Sequence, residues 1–85
     1  MSEILKITAA RPLEPYALDV VFSDGTEKRV NIEPLLWGPV FEPVRDPEHF
    51  KQVYVDDVLK TVAWPSGADL APEALYELPE MEPAR

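Results

Sequence analysis

The sequence predicts an α+β fold: a small antiparallel sheet of about five strands, arranged as two hairpins, with short helices packed on one face. Apolar and polar residues alternate in two neighbouring runs joined by Asp24-Gly25, which is the pattern of a β-hairpin. A second pair of short extended runs follows nearer the C terminus. Prolines at the starts of short apolar segments indicate single helical turns between these pairs and a closing helix of about two turns after them.

The first strand is the least regular of the predicted strands. Residues 3–10 alternate imperfectly, and the pattern places Leu5, Ile7 and Ala9 on one face. The two prolines of residues 11–15 would break a β-ladder, so this segment is predicted to be a connection.

The first hairpin carries the strongest strand pattern in the chain. Residues 16–22 place alternate apolar side chains on one face, and residues 27–32 have one largely apolar and one wholly polar face. Between them, Asp24-Gly25 predicts a type I′ turn, which requires positive φ at both central residues. The predicted inner-face residues of the two strands are Leu18, Val20, Phe22, Val30 and Ile32.

Short helical turns are predicted in the middle of the chain, over residues 33–36, 41–44 and 45–50, with Asn31 and Asp46 as caps. Such lengths are marginal in water, so these turns must be held by packing. The side chains expected to pack onto the sheet are Leu35, Leu36, Trp37, Phe41, Val44 and Phe50.

The second hairpin is predicted from residues 52–55 and 61–64, and a closing helix from residues 70–76, with Pro72 in its first turn. The organisation expected for 85 residues is one domain over 1–77, followed by a flexible acidic tail over 78–85.

The charge and composition of the chain argue against several classes of function. The chain has sixteen acidic and eight basic residues, a net charge of −8, and only Lys28-Arg29 are adjacent basic residues. Nucleic-acid binding normally needs a basic patch that displaces counterions, so we expect no direct contact with nucleic acid. Cysteine is absent, and neither a signal peptide nor an apolar run of membrane-spanning length is visible. We therefore expect a cytoplasmic protein.

The residues that carry enzyme chemistry are sparse. His49 is the single histidine, and its acidic neighbours in the same turn would point in different directions, so we interpret it as a solvated residue beside a cap. Asp56-Asp57 is interpreted as part of a turn, because adjacent strand residues face opposite sides of a sheet. We expect no catalytic residue, metal or cofactor.

Two tryptophans are the candidate anchors for a partner. Trp37-Gly38-Pro39 and Trp64-Pro65 each place an indole beside a turn, where it belongs either to the core or to an interface. Trp37 is the better interface candidate. The complete set of candidate interface residues is Trp37, Trp64, Asp69 and Tyr76, with loop-tying or helix-capping as the alternative role of Asp69.

The chain resembles the bacterial family called domain of unknown function 2442. The resemblance rests on the Trp-Pro-x-Gly-x-Asp-Leu-x-Pro-x-x-Leu-Tyr pattern of residues 64–76, the Phe-x-Asp-Gly of residues 22–25 and the Asp-Pro-x-x-Phe of residues 46–50. Ser66 stands where the family usually has Asn, and Lys60 where a small turn residue or glycine is common.

The resemblance implies a small α+β fold with no established activity, in proteins suggested to be antitoxin-like members of two-gene units. Some relatives carry a fused helix-turn-helix, for which we expect no room in this chain. The sequence thus favours a non-enzymatic protein-interaction module whose partner is encoded by the neighbouring gene, with a second copy of the chain as another candidate partner. The alternative is a small-molecule or metal-binding accessory protein.

Overall fold

Five strands form two antiparallel sheets in the computed structural model, which describes residues 4–81. The three-stranded sheet has the order β1-β2-β3, and the second sheet is the hairpin β4-β5. The strands are β1 (Ile7–Pro12), β2 (Ala17–Phe22), β3 (Glu27–Asn31), β4 (Tyr54–Asp56) and β5 (Thr61–Ala63). The predicted α+β class and both hairpins are confirmed, with the five strands divided between two sheets.

The helical segments are all short, as predicted. Two α-helices, α1 (Pro47–Phe50) and α2 (Pro72–Glu77), accompany three 3-10 turns at Glu33–Leu35, Pro39–Phe41 and Pro43–Arg45. The predicted Asp46 cap is confirmed, since its carboxylate accepts a hydrogen bond from the Glu48 N–H at 3.2 Å. In the part of the chain that is described, no helix is long and apolar enough to cross a membrane.

The inner face of the three-stranded sheet forms one wall of the core. Leu18 pairs with Val30 across β2 and β3, and all five side chains predicted for this face are fully buried or nearly so. Leu36, Val44, Phe50 and Leu75 cover them from the helical segments. Because each helical segment is only a turn or so long, this burial is what holds it in place.

The first strand departs from its predicted alternation at a β-bulge. Ile7 lies opposite Phe22, whereas Ala9 lies opposite Val21, so Thr8 is an extra residue in β1. The extra residue reverses the side-chain alternation beyond it. As a result Ala9 is exposed and Ala10 packs against the core, so the predicted placement of Ala9 on the inner face is wrong.

The first hairpin turns through three residues. The Gly25 N–H donates to the Phe22 carbonyl at 2.9 Å, and Gly25 then takes a φ of +91°. Asp24 has no positive φ, so the predicted type I′ turn is wrong; the loop is a tight turn followed by a glycine bulge. The Thr26 N–H donates to the Asp24 carboxylate at 2.9 Å and holds the pKa of that carboxyl below its usual value.

The second hairpin turns on the Asp56 side chain. One carboxylate oxygen accepts the N–H groups of Val58 and Leu59 at 2.8 and 2.9 Å, and the Asp56 carbonyl accepts the Lys60 N–H at 2.7 Å. Lys60 itself takes a φ of +59°. Its carbonyl accepts the Ile7 N–H at 2.9 Å, which ties this hairpin to β1. The turn interpretation of Asp56-Asp57 is confirmed.

The segment after α2 lies against the outer edge of β3. Leu78 is half-buried against the core, Glu80 forms an antiparallel bridge with Val30, and the Met81 N–H donates to the Arg29 carbonyl at 2.7 Å. Two residues of the predicted tail over 78–85, Glu80 and Met81, are therefore paired with the sheet. The remainder of that predicted tail, residues 82–85, lies outside the described residues.

Gly25→Val is expected to destabilise the fold by on the order of 1–2 kcal/mol, because a β-branched residue resists the left-handed region. A Cβ at this position would meet nothing within 4 Å, so the cost is one of backbone conformation alone. Gly25→Asn is the matched control and should cost much less, since Asn tolerates this conformation. Urea unfolding measures both, and equal losses for the two variants would contradict the assignment.

Lys60→Gly is expected to stabilise the protein by roughly 0.5–1 kcal/mol. Relief of the left-handed penalty on a lysine outweighs the extra backbone entropy that glycine loses on folding. Leu59→Gly provides the control, because Leu59 has no positive φ, so this change carries the entropic cost and the loss of a half-exposed side chain without any relief of strain. Thermal unfolding should move the two melting temperatures in opposite directions; a fall for Lys60→Gly would refute the argument.

Candidate functional site

Trp37 and its neighbours form an exposed apolar projection, which we call the Trp37 patch (residues 37–40). Trp37 is 73% exposed and Val40 is 63% exposed, and Gly38 and Pro39 between them are exposed as well. Trp37 was predicted either to pack onto the sheet or to serve an interface; the structure places it at the surface. The patch is the first candidate for a binding surface in the described part of the chain.

The backbone on both sides of the Trp37 patch is anchored. Leu36 is buried, and its N–H donates to the Glu33 carbonyl at 3.0 Å, while the Arg45 guanidinium donates to the Leu36 carbonyl at 3.3 Å. On the other side, the Phe41 N–H donates to the Gly38 carbonyl at 3.1 Å. A φ of +89° at Gly38 turns the chain between these anchors. The indole is thus presented from an ordered loop.

Trp64, the other candidate tryptophan, is buried in the core. Its side chain is fully buried, and the indole N–H donates to the Phe50 carbonyl at 3.0 Å. A residue with no exposed surface and a satisfied donor belongs to the core. Its place among the candidate interface residues is therefore corrected: Trp64 is the largest of the fully buried side chains, and its hydrogen bond links the residue after β5 to the end of α1.

Asp69 and Tyr76 lie at two different places on the fold. Asp69 is exposed in the strand-like segment that bridges Ala63 of β5, and α2 begins beyond it with Ala71 as its cap, so Asp69 does not cap that helix. Tyr76 packs edge-on against Phe22 at 4.9 Å, with its hydroxyl donating to Asp24 at 3.0 Å. Tyr76, 40% exposed, thereby fastens α2 to the first hairpin.

A second exposed apolar group was not foreseen from the sequence. Val58, at the tip of the second hairpin, is 87% exposed, and Leu59 and Tyr54 are about half exposed. The signal available in the sequence was Asp56, whose side chain stabilises a turn over the residues that follow it. Apolar residues in a turn lie outside the core, so this reading would have placed Val58 and Leu59 at the surface.

His49 is not the solvated residue that the sequence predicts. The ring is half-buried, and its Nε2 atom is shielded from solvent with no hydrogen-bond partner among residues 4–81. His49 lies in α1 beside Phe50, the buried residue of that helix. Within the same residues, no three histidine, aspartate or glutamate side chains converge in a way that could hold a metal ion.

A charged row crosses the outer face of the three-stranded sheet. The Arg29 guanidinium donates twice to the Asp19 carboxylate, at 2.7 and 3.1 Å, and Arg11 approaches the same carboxylate at 3.2 Å. The hydrogen bond from Arg29 holds the pKa of Asp19 below its usual value, and Asp19 raises the pKa of Arg29. An open groove of about 380 Å³ is lined by all three of these side chains, and a second of about 600 Å³ shares Arg29 and Met81 with it.

Asp19→Asn is expected to cost roughly 1 kcal/mol at neutral pH, because Arg29 loses a charged, partly buried partner. The folded-state pKa of Asp19 is depressed, so its contribution is complete above the ordinary aspartate pKa and is lost as pH falls below about 4. The difference in melting temperature between the wild type and Asp19→Asn should thus shrink on acidification. Asp57→Asn, at an exposed turn position, is the control; a pH-independent difference for Asp19→Asn would contradict the ion-pair argument.

The comparison with solved structures finds the same fold in another protein. The chain is similar to a crystal structure of a Nitrosomonas europaea protein named as a putative DNA-binding protein, with 28% sequence identity and a TM-score of 0.76. The match covers 92% of this chain and 52% of that one, so the chain spans about half the length of that protein. A comparison with curated proteins finds no match.

The family assignment rests on most of the chain. Residues 7–79 match the family described as "Protein of unknown function (DUF2442)", a range that includes both hairpins, the helical turns and α2. The resemblance drawn from the Trp-Pro, Phe-x-Asp-Gly and Asp-Pro motifs is confirmed by this match. The chain belongs to the DUF2442 family.

Proposed function

We propose that this protein is a non-enzymatic interaction module that binds another protein through the Trp37 patch. The observation that carries the proposal is an indole 73% exposed on a loop anchored at both ends. Tryptophan is the residue most enriched among those that dominate binding energy at interfaces. A loop that is already ordered also lowers the entropy lost on binding.

The charge of the chain bears on the kind of partner. Exposed Glu33 and Glu42 flank the Trp37 patch, and the whole chain carries a net charge of −8. Two copies of such a chain repel one another, whereas a basic protein is attracted and steered toward the patch. A heterologous, more basic partner is therefore favoured over a second copy.

The partner we propose is the product of the neighbouring gene, in keeping with the antitoxin-like role suggested for relatives of the family. In this role the protein acts by stoichiometric binding, with the partner covering the indole. No catalytic step is assigned to its own side chains.

DNA binding enters as a competing possibility through the name of the Nitrosomonas europaea protein. That protein is about twice as long as the matched chain, and the eight basic residues here are outnumbered by sixteen acidic ones. Salt-dependent contact with phosphates normally needs a basic patch, and only Lys28 and Arg29 are adjacent basic residues here. Small-molecule binding is the other competitor, and the two outer-face grooves are its candidate location.

The test is co-expression with the product of the neighbouring gene, followed by size-exclusion chromatography and surface-binding kinetics. Trp37→Ala should raise the dissociation rate by about tenfold or more, since truncating a central interface tryptophan typically costs 2 kcal/mol or above. Added salt should mainly slow association. Val58→Ala is the control at another exposed apolar position and should change dissociation less than about twofold.

Two outcomes would overturn the proposal in different ways. Absence of a complex at micromolar concentrations would remove the neighbouring-gene partner. A complex that dissociates equally fast in both variants would remove the Trp37 patch as its anchor. Fluorescence anisotropy with duplex DNA at low salt provides the competing measurement, and saturable binding there would favour the DNA alternative.

A further inference from the structure

The two edges of the three-stranded sheet differ in their capacity to accept another strand. At the β1 edge, Pro12 lacks an N–H, Thr8 forms the bulge, and the Ile7 N–H is already bonded to Lys60. Proline and bulges are two of the means by which proteins block an edge. The β3 edge has neither: its five residues contain no proline, and its pairing with β2 is regular throughout.

The direction of the β3 backbone groups follows from one hydrogen bond. Because the Arg29 carbonyl accepts from Met81, the backbone groups of Arg29 point away from β2. In an antiparallel strand these directions alternate from one residue to the next. Glu27 and Asn31, two positions from Arg29 on either side, therefore also turn their N–H and carbonyl groups outward. The β3 edge therefore offers three residues in register for an added strand.

The chain itself shows that this edge accepts an extended segment. Glu80 bridges Val30 in the antiparallel sense, and the Met81 N–H reaches the Arg29 carbonyl at 2.7 Å. The Met81 side chain is half-buried and lines both outer-face grooves beside Arg29. A backbone donor and an apolar side chain thus occupy the edge together.

Few contacts hold residues 79–81 on the β3 edge. The bridge joins a single residue pair, Pro79 supplies no N–H, and both Pro79 and Glu80 are exposed. Residues 80–81 compete with a separate strand because they are connected to α2. A short connection of this kind gives the segment an effective concentration at the edge in the millimolar range. A partner strand that makes all three outward pairings would bury more and replace it.

We propose that the β3 edge is a binding site for an extended segment of a partner protein, which adds antiparallel to β3 in place of residues 80–81. The incoming strand would donate its backbone N–H to Arg29 and seat an apolar side chain where Met81 lies, between the two grooves. Main-chain pairing supplies affinity and the seated side chain supplies selectivity. This site does not depend on the Trp37 patch, so either proposal stands or fails alone.

The experiment uses the full-length chain and, as the probe, a synthetic peptide with the sequence of residues 77–85. Met81→Pro removes the N–H that donates to Arg29, whereas Met81→Ala keeps it and shortens only the side chain. Each 15N-labelled protein is titrated with the peptide and followed by NMR. A second peptide, with proline in the position of Met81, is the negative control.

The expected result is saturable shifts at the amides of Glu27, Arg29 and Asn31 in Met81→Pro, with a Kd at least about tenfold lower than for the wild type, because the internal competitor has been weakened. Met81→Ala should bind the peptide within about threefold of the wild type. The proline peptide should produce no shifts in β3.

The proposal is overturned if Met81→Pro shows no saturable shifts in β3 at several millimolar peptide, or if the proline peptide binds equally well. If the NMR spectrum of Met81→Pro shows that this variant does not fold, the same titration of the wild type with millimolar peptide is the test. Saturable shifts at the three outward amides would then support the site, and their absence would refute it.

Discussion

The burial of Trp64 is the interaction on which the remaining structure depends. Its indole has no exposed surface and donates to the Phe50 carbonyl at 3.0 Å, which joins the second hairpin to α1. Phe50 in turn meets the ring of Tyr16 edge-on at 5.5 Å, at the start of β2. Because none of the helical segments among residues 4–81 is long enough to persist alone, these contacts of Trp64, Phe50 and Tyr16 keep the middle of the sequence on the sheet.

The parts of the fold that could be predicted are those governed by local periodicity. Alternation in β2 and β3 identified the inner face, and Asp46 followed by Pro47 identified the start of α1. The bulge at Thr8 could not be read in this way, because an extra residue is defined only by the strand opposite it. The type of the first turn likewise depends on which pair of residues closes the loop.

Prediction of the candidate site met a different limit. Trp37 and Trp64 both stand beside turns in the sequence, yet one is the most buried large side chain and the other projects into solvent. Neighbouring residues do not decide between these fates, because burial depends on long-range packing. The pairing of Met81 with Arg29 could not be predicted either, because the two residues are far apart in the sequence. Met81 lies in a segment whose prolines and acidic residues are typical of a loose terminus.

The unequal edges of the three-stranded sheet limit the size of any assembly built by strand pairing. Filament growth through a sheet requires two receptive edges on each subunit, so that every addition exposes a fresh place for the next. Here the bulge at Thr8 and the ring of Pro12 disfavour the addition of a strand at the β1 edge. Under the strand pairing proposed above, growth through this sheet would stop at the β1 edge, and pairing at β3 would give a discrete complex instead of a filament.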